Sequence, residues 1–238
     1  MTTTLITGAN KGLGFETARR LVAAGHTVYL GSRDAERGRH AAEQFGARLV
    51  VIDVTDDASV AAAAKTIEAD GGVDVLVNNA GIAGFEGQTQ DKGVVGAAAL
   101  TADMMRPVLE TNVLGVVRVT HAFLPLLQRS AAPVVVNVSS GLASLTRVTT
   151  PDTPAHAYPG VAYPVSKAAV NMITVQYAKA FPNMRINAVE PGYTATDLNG
   201  RLGTQTVQQG AEIIVRMAQV PPDGPTGGYF DTTGALPW

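Results

Sequence analysis

Tyr163 and Lys167 are the residues of this sequence whose types and spacing most clearly predict chemistry. They stand four positions apart within residues 162–171, and a helix places residues at that spacing on one face. A phenol with an ordinary pKa of about 10 exchanges protons poorly at neutral pH, whereas a neighbouring ammonium group favours the phenolate. The pair is therefore predicted to transfer a proton on a substrate, although the spacing also fits a plain amphipathic helix.

Four further motifs precede this pair along the chain. They are a glycine-rich turn at residues 7–14, the run Asn78-Asn-Ala-Gly81, a lone Asn112 and the run Val138-Ser-Ser140. Either serine hydroxyl can donate to a substrate carbonyl oxygen and polarise it, and either can instead cap the end of a strand. Because these motifs occur together and in this order, they argue against a chance occurrence of the Tyr163/Lys167 spacing.

The elements that must position these residues can be read from the hydrophobic pattern. Short β-rich apolar runs alternate with longer helical segments, which is typical of βαβ units around a buried parallel sheet. Seven strands are predicted at residues 3–7, 27–31, 48–52, 73–77, 133–138, 184–189 and 228–230. Helices are predicted at residues 13–24, 35–45, 57–70, 102–128, 161–180 and 206–219. We therefore expect an α/β fold in which residues 1–238 form a single doubly wound Rossmann-type domain, with a seven-stranded, mostly parallel sheet and helices on both faces.

Two irregular segments are predicted to be loops. Residues 81–100 are rich in Gly and Ala, and residues 144–160 contain three prolines. Both come after predicted strands, so in a doubly wound sheet they would border the carboxyl edge where ligands bind. Plain surface loops are the alternative.

Composition limits the functions to consider. The 238 residues are 46% hydrophobic and 16% charged, with a net charge of -2, no cysteine and four histidines. A chain of this length and hydrophobic content can form one substantial core. Its small net charge argues against nucleic-acid binding. The histidines lie far apart and thiolate ligands are absent, so no metal centre is expected. No apolar run approaches membrane-spanning length, and we expect a soluble, cytoplasmic protein.

The glycine turn at residues 7–14 lies between the first predicted strand and the first predicted helix. Backbone amides and the helix N-terminus can hold a pyrophosphate there. Gly8 would permit the turn, Gly12 would allow close approach of the backbone to the ligand, and Gly14 would allow close helix–strand packing. Because the spacing is not G-x-G-x-x-G, a merely structural tight turn is the alternative.

With these motifs the chain resembles the short-chain dehydrogenase/reductase family along nearly its whole length. The glycine turn, residues 78–81, Asn112, Ser140, Tyr163 with Lys167, and the run Pro191-Gly-Tyr-Thr-Ala-Thr196 match that family's motifs in sequence order. The wording of residues 9–16 is closest to its NADPH-dependent carbonyl-reductase branch. The resemblance implies an oxidoreductase that reduces a small-molecule carbonyl to an alcohol by hydride transfer, or catalyses the reverse reaction.

The resemblance assigns the catalytic roles to Asn112, Ser140, Tyr163 and Lys167. Tyr163 would give its proton to the forming alkoxide, while Lys167 would stabilise the phenolate and bind the cofactor ribose. Ser140 is chosen over Ser139 because the catalytic serine of the family is usually the second of this pair. Asn112 would hold a water that connects Lys167 to solvent; a structural hydrogen bond to a neighbouring strand is the alternative, since Asn is unfavourable within a helix.

The predicted cofactor-binding residues lie in several segments that converge in the family's fold. They are Gly8, Asn10, Lys11, Gly12, Leu13, Gly14, Ser32, Arg33, Asp53, Val54, Asn79, Ala80, Gly81, Tyr163, Lys167, Pro191, Gly192, Thr194 and Thr196. Asn78 is expected to brace the sheet instead, and Asp53 could equally be a helix cap.

The choice of cofactor depends on the residues that come after the second predicted strand. Asp34 could bind a ribose diol, as NAD sites require, but it lies beyond the position where the family's acid usually stands. Arg33 occupies that position, and Lys11 could add a second cation against a 2′-phosphate. NADP is therefore predicted and NAD is less favoured; the alternative is that both cations are ordinary solvated charges.

The chain departs from the family pattern in two places. Tyr163 comes 23 positions after Ser140, a longer separation than in most members. His156, Tyr158 and the nearby prolines could shape the substrate entrance, or the extra residues could simply lie at the rim of the site. The short segment after Thr196 could form a lid whose apolar contacts are Tyr193, Leu198 and Leu202. A homodimer or homotetramer is expected from the resemblance, and the longer segment leaves open which.

Two other functions fit the same motifs. One is a dedicated biosynthetic ketoreductase, such as a reductase of 3-oxoacyl thioesters. The other is a non-catalytic NADP sensor, because a dinucleotide-binding fold does not by itself establish catalysis. The complete set of Ser140, Tyr163 and Lys167 argues against the sensor.

Overall fold

The computed structural model describes residues 1–84 and 94–238. Eight strands form one sheet. They are β1 (Thr3–Ile6), β2 (Thr27–Ser32), β3 (Arg48–Val51), β4 (Val75–Asn78), β5 (Val134–Val138), β6 (Arg185–Val189), β7 (Tyr229–Asp231) and β8 (Gly234–Ala235). Their order in the sheet is β3-β2-β1-β4-β5-β6-β7-β8. The first seven pair in parallel and β8 pairs antiparallel to β7, so the predicted fold class is confirmed.

Eight α-helices of the described chain cover this sheet. They are α1 (Gly12–Ala23), α2 (Ala35–Glu43), α3 (Asp57–Ala69), α4 (Ala102–Leu109), α5 (Gly115–Leu127), α6 (Leu145–Thr149), α7 (Ala162–Ala180) and α8 (Val207–Ala218). The central strands β4 and β5 are buried at every position, as expected for parallel strands covered on both faces.

The two faces of the sheet carry separate cores. Leu5 and Ile6 are neighbours in β1, and because side chains alternate along a strand they point to opposite faces. Leu5 belongs to the core that includes Ile67 of α3 and Phe123 of α5. Ile6 belongs to the core that includes Leu21 of α1 and Ile213 of α8. Burial of such side chains contributes roughly 1.5–3 kcal/mol each, so the helices are held firmly against the strands that carry the site.

The strand order reverses between β1 and β4. From β1 the chain adds β2 and β3 on one side of the sheet, and from β4 it adds β5 to β8 on the other side. At such a point the connections leave the carboxyl edge to opposite faces and open a crevice between them. The glycine turn leaves β1, residues 79–84 leave β4, and the serine pair leaves β5. The predicted site motifs therefore stand along one edge.

The prediction of seven strands is one strand short. Asp231 Oδ1 accepts hydrogen bonds from the amides of Thr233 and Gly234 at 2.7 and 3.1 Å, which reverses the chain after β7 and starts β8. A two-residue strand has no hydrophobic periodicity to detect. The Asp-Thr-Thr-Gly turn was therefore the only sequence signal for β8.

The helix predicted over residues 102–128 is interrupted, and the segment predicted as a loop over 144–160 contains a helix. Residues Glu110–Leu114 form a π-helical turn between α4 and α5. In the second segment, the Ser144 hydroxyl accepts a hydrogen bond from the Arg147 amide at 3.1 Å and caps α6. The β-branched residues of α6 have low helix propensity, which explains why the pattern concealed it. Of the predicted loop 81–100, residues 85–93 lie outside the described residues, and Ala97–Ala99 form a 3-10 turn.

Candidate active site

The start of α7 and the end of β5 bring Ser140, Tyr163 and Lys167 together. Lys167 Nζ lies 5.7 Å from the centre of the Tyr163 ring and donates to the Val138 carbonyl at 2.7 Å. The Ser140 side chain lies close enough to the Tyr163 phenol to influence its pKa. Lys167 is buried, while Ser140 and Tyr163 are half-buried, so part of each of these two residues is accessible to solvent.

Burial sets the protonation of this pair. It raises the pKa of Tyr163 to about 12, an effect that the charges of Tyr158 and Glu190 increase and that the nearby Ser140 hydroxyl opposes. The same burial lowers the pKa of Lys167 to about 8. The sequence predicts a lowered Tyr163 pKa beside an ammonium group, and the direction found is the opposite. Removal from water disfavours the charged form of both groups, and at this separation it outweighs the attraction of the lysine charge.

The two serines after β5 have different surroundings. Ser139 is buried, and its hydroxyl donates to the Asn171 side-chain oxygen at 2.6 Å. Ser140 accepts a weak hydrogen bond from the Leu142 amide at 3.3 Å and lies close to Tyr163. Ser140 is thus the serine that is available for chemistry.

The π-helical turn between α4 and α5 aims Asn112 at the segment after β4. The Asn112 side chain accepts from the Ile82 amide and donates to the Ile82 carbonyl, each at 2.8 Å. It also donates to the Ser166 hydroxyl at 3.0 Å. These hydrogen bonds give Asn112 a structural role. The alternative expected from the sequence is a structural hydrogen bond to a neighbouring strand, whereas the bonds found go to the segment after β4 and to Ser166 of α7. The predicted water-holding role of Asn112 stays a prediction.

The glycine turn forms a tight cradle at the carboxyl end of β1. Gly8 and Gly12 have φ values of 62° and 59°, in the left-handed region that favours glycine. A Cβ on Gly8 would lie 2.9 Å from the Ala80 Cα, and one on Gly12 would lie 3.6 Å from the Thr196 methyl group. The turn is therefore bordered by the segment after β4 and by the segment after β6.

Gly14 packs the start of α1 onto the same turn. A Cβ there would lie 2.5 Å from Asn79 Nδ2, and Asn79 Nδ2 itself donates to the Thr7 and Gly8 carbonyls at 2.9 and 3.1 Å. Lys11 precedes the helix without a side-chain hydrogen bond to its first turn. The Asn79 amide thus fixes the turn, and the first amides of α1 lack a side-chain cap.

Three more predicted cofactor residues border this cradle. Asn10 is half-buried within the turn. Leu13 packs toward α8, since a Cβ on Gly210 would lie 2.8 Å from it. Gly81 lies beside the catalytic pair, because its Cβ would stand 3.5 Å from Lys167 Nζ. The segment after β4 therefore joins the cradle to the pair.

The end of β2 separates the roles of its neighbouring residues. Asp34 caps α2 by accepting from the Arg37 amide at 2.9 Å and pairs with the Arg37 side chain at 2.7 Å. The Ser32 hydroxyl donates to the Asp34 carbonyl at 2.8 Å. Arg33 is exposed, and among the residues that the structure describes no carboxylate lies within ion-pair distance of it. Lys11 differs, because its Nζ lies 3.0 Å from Asp197 Oδ2.

Asp53 and Val54 stand at the end of β3. Asp53 Oδ1 accepts from the amide and hydroxyl of Thr55 at 2.9 and 2.7 Å, and these bonds lower the pKa of Asp53 against the opposing effect of burial. Val54 is buried and packs against the start of α5, where a Cβ on Gly115 would lie 3.0 Å from it. Asn78 donates to Asn137 and Thr120 side-chain oxygens at 2.8 and 3.1 Å, a sheet-bracing arrangement of the kind expected of it.

Two residues that the sequence analysis did not single out organise residues 191–196. The Gln205 side-chain amide donates to the Pro191 carbonyl and to the Thr194 hydroxyl. Glu190 accepts from the Gly192 amide at 3.0 Å. Glu190 directly precedes the Pro-Gly pair, which is the one sequence signal that could have found it; Gln205 lies 14 positions after Pro191, and no local pattern connects them.

A small cleft lies beside the Tyr163 ring. Most of its described lining residues have apolar side chains, among them Met104, Val108 and Val161, while Tyr158 and Tyr163 add phenol groups. The exposed His156 is bonded at Nδ1 to the Val148 carbonyl at 2.9 Å and does not line this cleft. Among the expected lid contacts, Tyr193, Leu198 and Leu202 are 53%, 45% and 73% exposed.

Metal and membrane sites are not found in residues 1–84 and 94–238. That part of the chain has no group of three or more His, Cys, Asp or Glu residues arranged to hold a metal ion. None of its helices is long and apolar enough to cross a membrane.

Comparisons with known proteins find dehydrogenases and reductases of similar sequence and structure. Residues 2–207 match the family model of the short chain dehydrogenases. The (+)-neomenthol dehydrogenase of Capsicum annuum is 32% identical over 295 aligned residues, covering 95% of this chain and 94% of that protein. The solved structure of salutaridine reductase from Papaver somniferum has a TM-score of 0.82 and 31% identity, covering 97% and 99% of the two chains. An NADPH-bound carbonyl reductase from chicken fatty liver has a TM-score of 0.84 and 25% identity, covering 100% and 99%.

Proposed function

The chain belongs to the short-chain dehydrogenase/reductase family, and from that premise we propose that it is an NADPH-dependent reductase of small-molecule carbonyls, also able to oxidise the corresponding alcohols. One observation carries the proposal. Ser140, Tyr163 and Lys167 meet at the carboxyl edge of the sheet, beside a glycine cradle and a small cleft. The catalytic set is Asn112, Ser140, Tyr163 and Lys167.

Tyr163 acts as the acid in carbonyl reduction. A pKa of about 12 keeps the phenol protonated at neutral pH, so it has a proton to give to the oxygen as negative charge develops there. Ser140 lies close to the phenol and donates to the same oxygen, which stabilises that charge. Lys167 is close enough to the ring to stabilise the phenolate left after proton transfer.

The cradle has the properties that a dinucleotide requires. Left-handed Gly8 and Gly12 leave the backbone open to close approach, and the first amides of α1 have no side-chain cap. A pyrophosphate bound there would accept from these amides and interact favourably with the helix dipole. Bound reduced nicotinamide supplies the hydride. Residues 191–196 border the cradle through Thr196, and from the family resemblance they would hold the nicotinamide end.

NADPH is favoured over NADH by the residues after β2. Asp34 is engaged as the cap and ion-pair partner of α2, which leaves it poorly placed to bind a ribose diol. Arg33 is exposed beside Asp53, with whose charge it interacts, and its guanidinium matches a 2′-phosphate. Lys11 can contribute only by exchanging its Asp197 partner, so Arg33 is the main determinant.

The test of this proposal is initial-rate oxidation of NADPH and of NADH against a panel of neutral aldehydes, ketones and diketones. We expect turnover that prefers NADPH and that falls by about 10²–10⁴-fold in Tyr163→Phe. Activity confined to carrier-bound acyl groups would instead identify a dedicated biosynthetic reductase. Tight NADPH binding without turnover of any carbonyl would indicate a sensor.

A pair of arginine variants tests the cofactor assignment separately. Arg33→Ala should raise the KM for NADPH by about 10–100-fold, as expected for the loss of roughly 1.4–2.8 kcal/mol, with little change for NADH. Arg39→Ala, at another exposed position of the same region, is the matched control. Equal effects of the two variants would remove Arg33 from the phosphate site.

A further inference from the structure

Glu190 stands where two functional segments meet. It comes directly after β6, and its side chain is only 15% exposed. Its Oε1 accepts a hydrogen bond from the Gly192 amide at 3.0 Å. The Gly141 amide lies close enough to the carboxyl group to oppose the rise in its pKa, and a Cβ on Gly141 would lie 3.3 Å from the same Oε1. One carboxylate therefore binds the Gly192 amide and lies against the residue after Ser140.

Charged and polar neighbours surround this carboxylate. Arg147 of α6 places Nη1 3.8 Å from Glu190 Oε2 and Nη2 3.5 Å from Asp231 Oδ2. Tyr229 of β7 donates its phenol proton to the Ser140 carbonyl, and the Tyr163 phenol lies close enough to feel the Glu190 charge. Ser140 is thus held through its own carbonyl by Tyr229, and Glu190 lies against the residue that follows it.

A carboxylate in this place calls for a physical reason. Burial raises the pKa of Glu190, and Arg147 and the two amides oppose that rise. Removing a charge from water costs several kcal/mol unless partners compensate, so a purely structural link would be made more cheaply by a neutral side chain. The carboxylate lies against two segments, which carry a catalytic hydroxyl and the turn proposed to hold the nicotinamide end.

We propose that Glu190 is a positioning residue that fixes the Ser140 hydroxyl and the Pro191–Gly192 turn relative to each other, with Arg147 of α6 as its counter-ion. This inference rests on the proposed function and deepens it. It also gives a role to part of the long segment between Ser140 and Tyr163, because that segment supplies Arg147. A misplacement of about 1 Å between reacting groups can cost on the order of 10²-fold in rate, which sets the expected effect.

The experiment compares Glu190→Ala and Glu190→Gln with Glu212→Gln, an equivalent change at an exposed position of α8. Steady-state carbonyl reduction is measured together with the Kd of NADPH and of 2′,5′-ADP, which lacks the nicotinamide half. In Glu190→Ala we expect kcat to fall about 100-fold while the carbonyl KM changes little. NADPH binding should weaken about tenfold, the loss of roughly one hydrogen-bonded contact, and 2′,5′-ADP binding should not change. Glu190→Gln should retain part of both properties, because its amide oxygen can still accept from the Gly192 amide.

Several outcomes would overturn the proposal. A folded Glu190→Ala protein with unchanged kcat and an unchanged ratio of the two Kd values would show that the bridge positions nothing. Equal weakening of NADPH and 2′,5′-ADP would indicate general loosening of the fold. If the wild-type protein reduced no carbonyl, the proposed function would fail, yet the Kd ratio would still decide the role of Glu190. Should the alanine variant not fold, the glutamine variant carries the same comparison.

Discussion

Tyr163 and Lys167 illustrate how one environment acts in opposite directions on two proton donors. Burial disfavours a charge, so it keeps the neutral phenol protonated and drives the cationic amine toward its neutral form. The result is a Tyr163 pKa of about 12 and a Lys167 pKa of about 8. In the proposed reaction Tyr163 would therefore be fully protonated before substrate binds, and its phenolate would have to be stabilised during the reaction itself.

The buried Lys167 should cost stability at neutral pH. Its pKa falls from 10.5 to about 8, a difference worth roughly 3 kcal/mol. Below pH 8 both folded and unfolded states carry the charge, and the penalty is complete. Between pH 8 and 10.5 the unfolded state binds more protons than the folded state, so the penalty fades and stability rises with pH.

Lys167→Met should therefore stabilise the protein at pH 7 by about 2 kcal/mol, because the loss of the bond to the Val138 carbonyl offsets roughly 1 kcal/mol of the relief. The gain should shrink and reverse sign by pH 10. Urea unfolding of the variant and the wild type at both pH values measures this, with Lys179→Met at an exposed position of the same helix as control. A gain that does not depend on pH would contradict the buried-charge explanation.

At the scale of single elements, Gly8 in the turn between β1 and α1 must be a glycine for two reasons. Gly8 has a φ of 62°, and its missing Cβ leaves room for the Ala80 backbone at 2.9 Å. Gly46, which comes after α2, has a φ of 77° but has nothing within 4 Å of its Cβ position. The two glycines therefore separate the cost of a left-handed backbone from the cost of lost space.

Gly46→Ala should lower the free energy of unfolding by about 1 kcal/mol, the cost of the left-handed conformation alone. Gly8→Ala should lower it by about 2–4 kcal/mol, since a collision with backbone adds about 1–3 kcal/mol. Only Gly8→Ala should also abolish dinucleotide binding. Urea unfolding and NADPH fluorescence titration measure the two effects; equal destabilisation by the two variants would refute the proposed close approach of Ala80.

The sequence predicted the elements whose pattern is local and missed those that depend on partners. The buried runs of β4 and β5 and the amphipathic helices were readable from hydrophobic order alone. The π-helical turn was not, because it is stabilised by the contact between Asn112 and Ile82, which are 30 positions apart. The helix α6 was hidden for a similar reason, since its β-branched residues have weak propensity and its start depends on the Ser144 cap.

The same distinction applies to the candidate site. The glycine turn, the serine pair and the Tyr/Lys spacing are compact motifs, and the fold brings them together. The surroundings of Lys11 and Asp34 were not readable, because the one depends on an ion pair with Asp197 across 186 positions and the other on its cap of α2. The direction of the Tyr163 pKa also escaped, since burial is a property of the folded chain.

At the scale of the whole molecule, the parallel sheet explains why motifs from all along the chain share one edge. Every parallel strand ends on the same side, so residues 7–14, 79–81, 139–140 and 190–196 leave β1, β4, β5 and β6 at neighbouring positions. The two cores hold these strands from both faces. A ligand at this edge would contact segments that follow four different strands. Its binding should therefore stabilise the whole fold and not one element alone.

Ligand binding to the folded state alone raises the free energy of unfolding by RT ln(1 + [L]/Kd), about 2.7 kcal/mol at a hundredfold excess over Kd. For a chain of this size each kcal/mol raises Tm by roughly 2–4 °C, so saturating NADPH should raise it by about 5–10 °C in a thermal unfolding scan. NADH at the same concentration should raise it less, because it has no 2′-phosphate for Arg33. Tyr163→Phe should keep the rise, since the phenol proton takes part in chemistry and not in holding the pyrophosphate, whereas Gly8→Ala should lose it. A rise that survives in Gly8→Ala would place the dinucleotide outside the glycine cradle, and the convergence of the four segments would then serve another ligand.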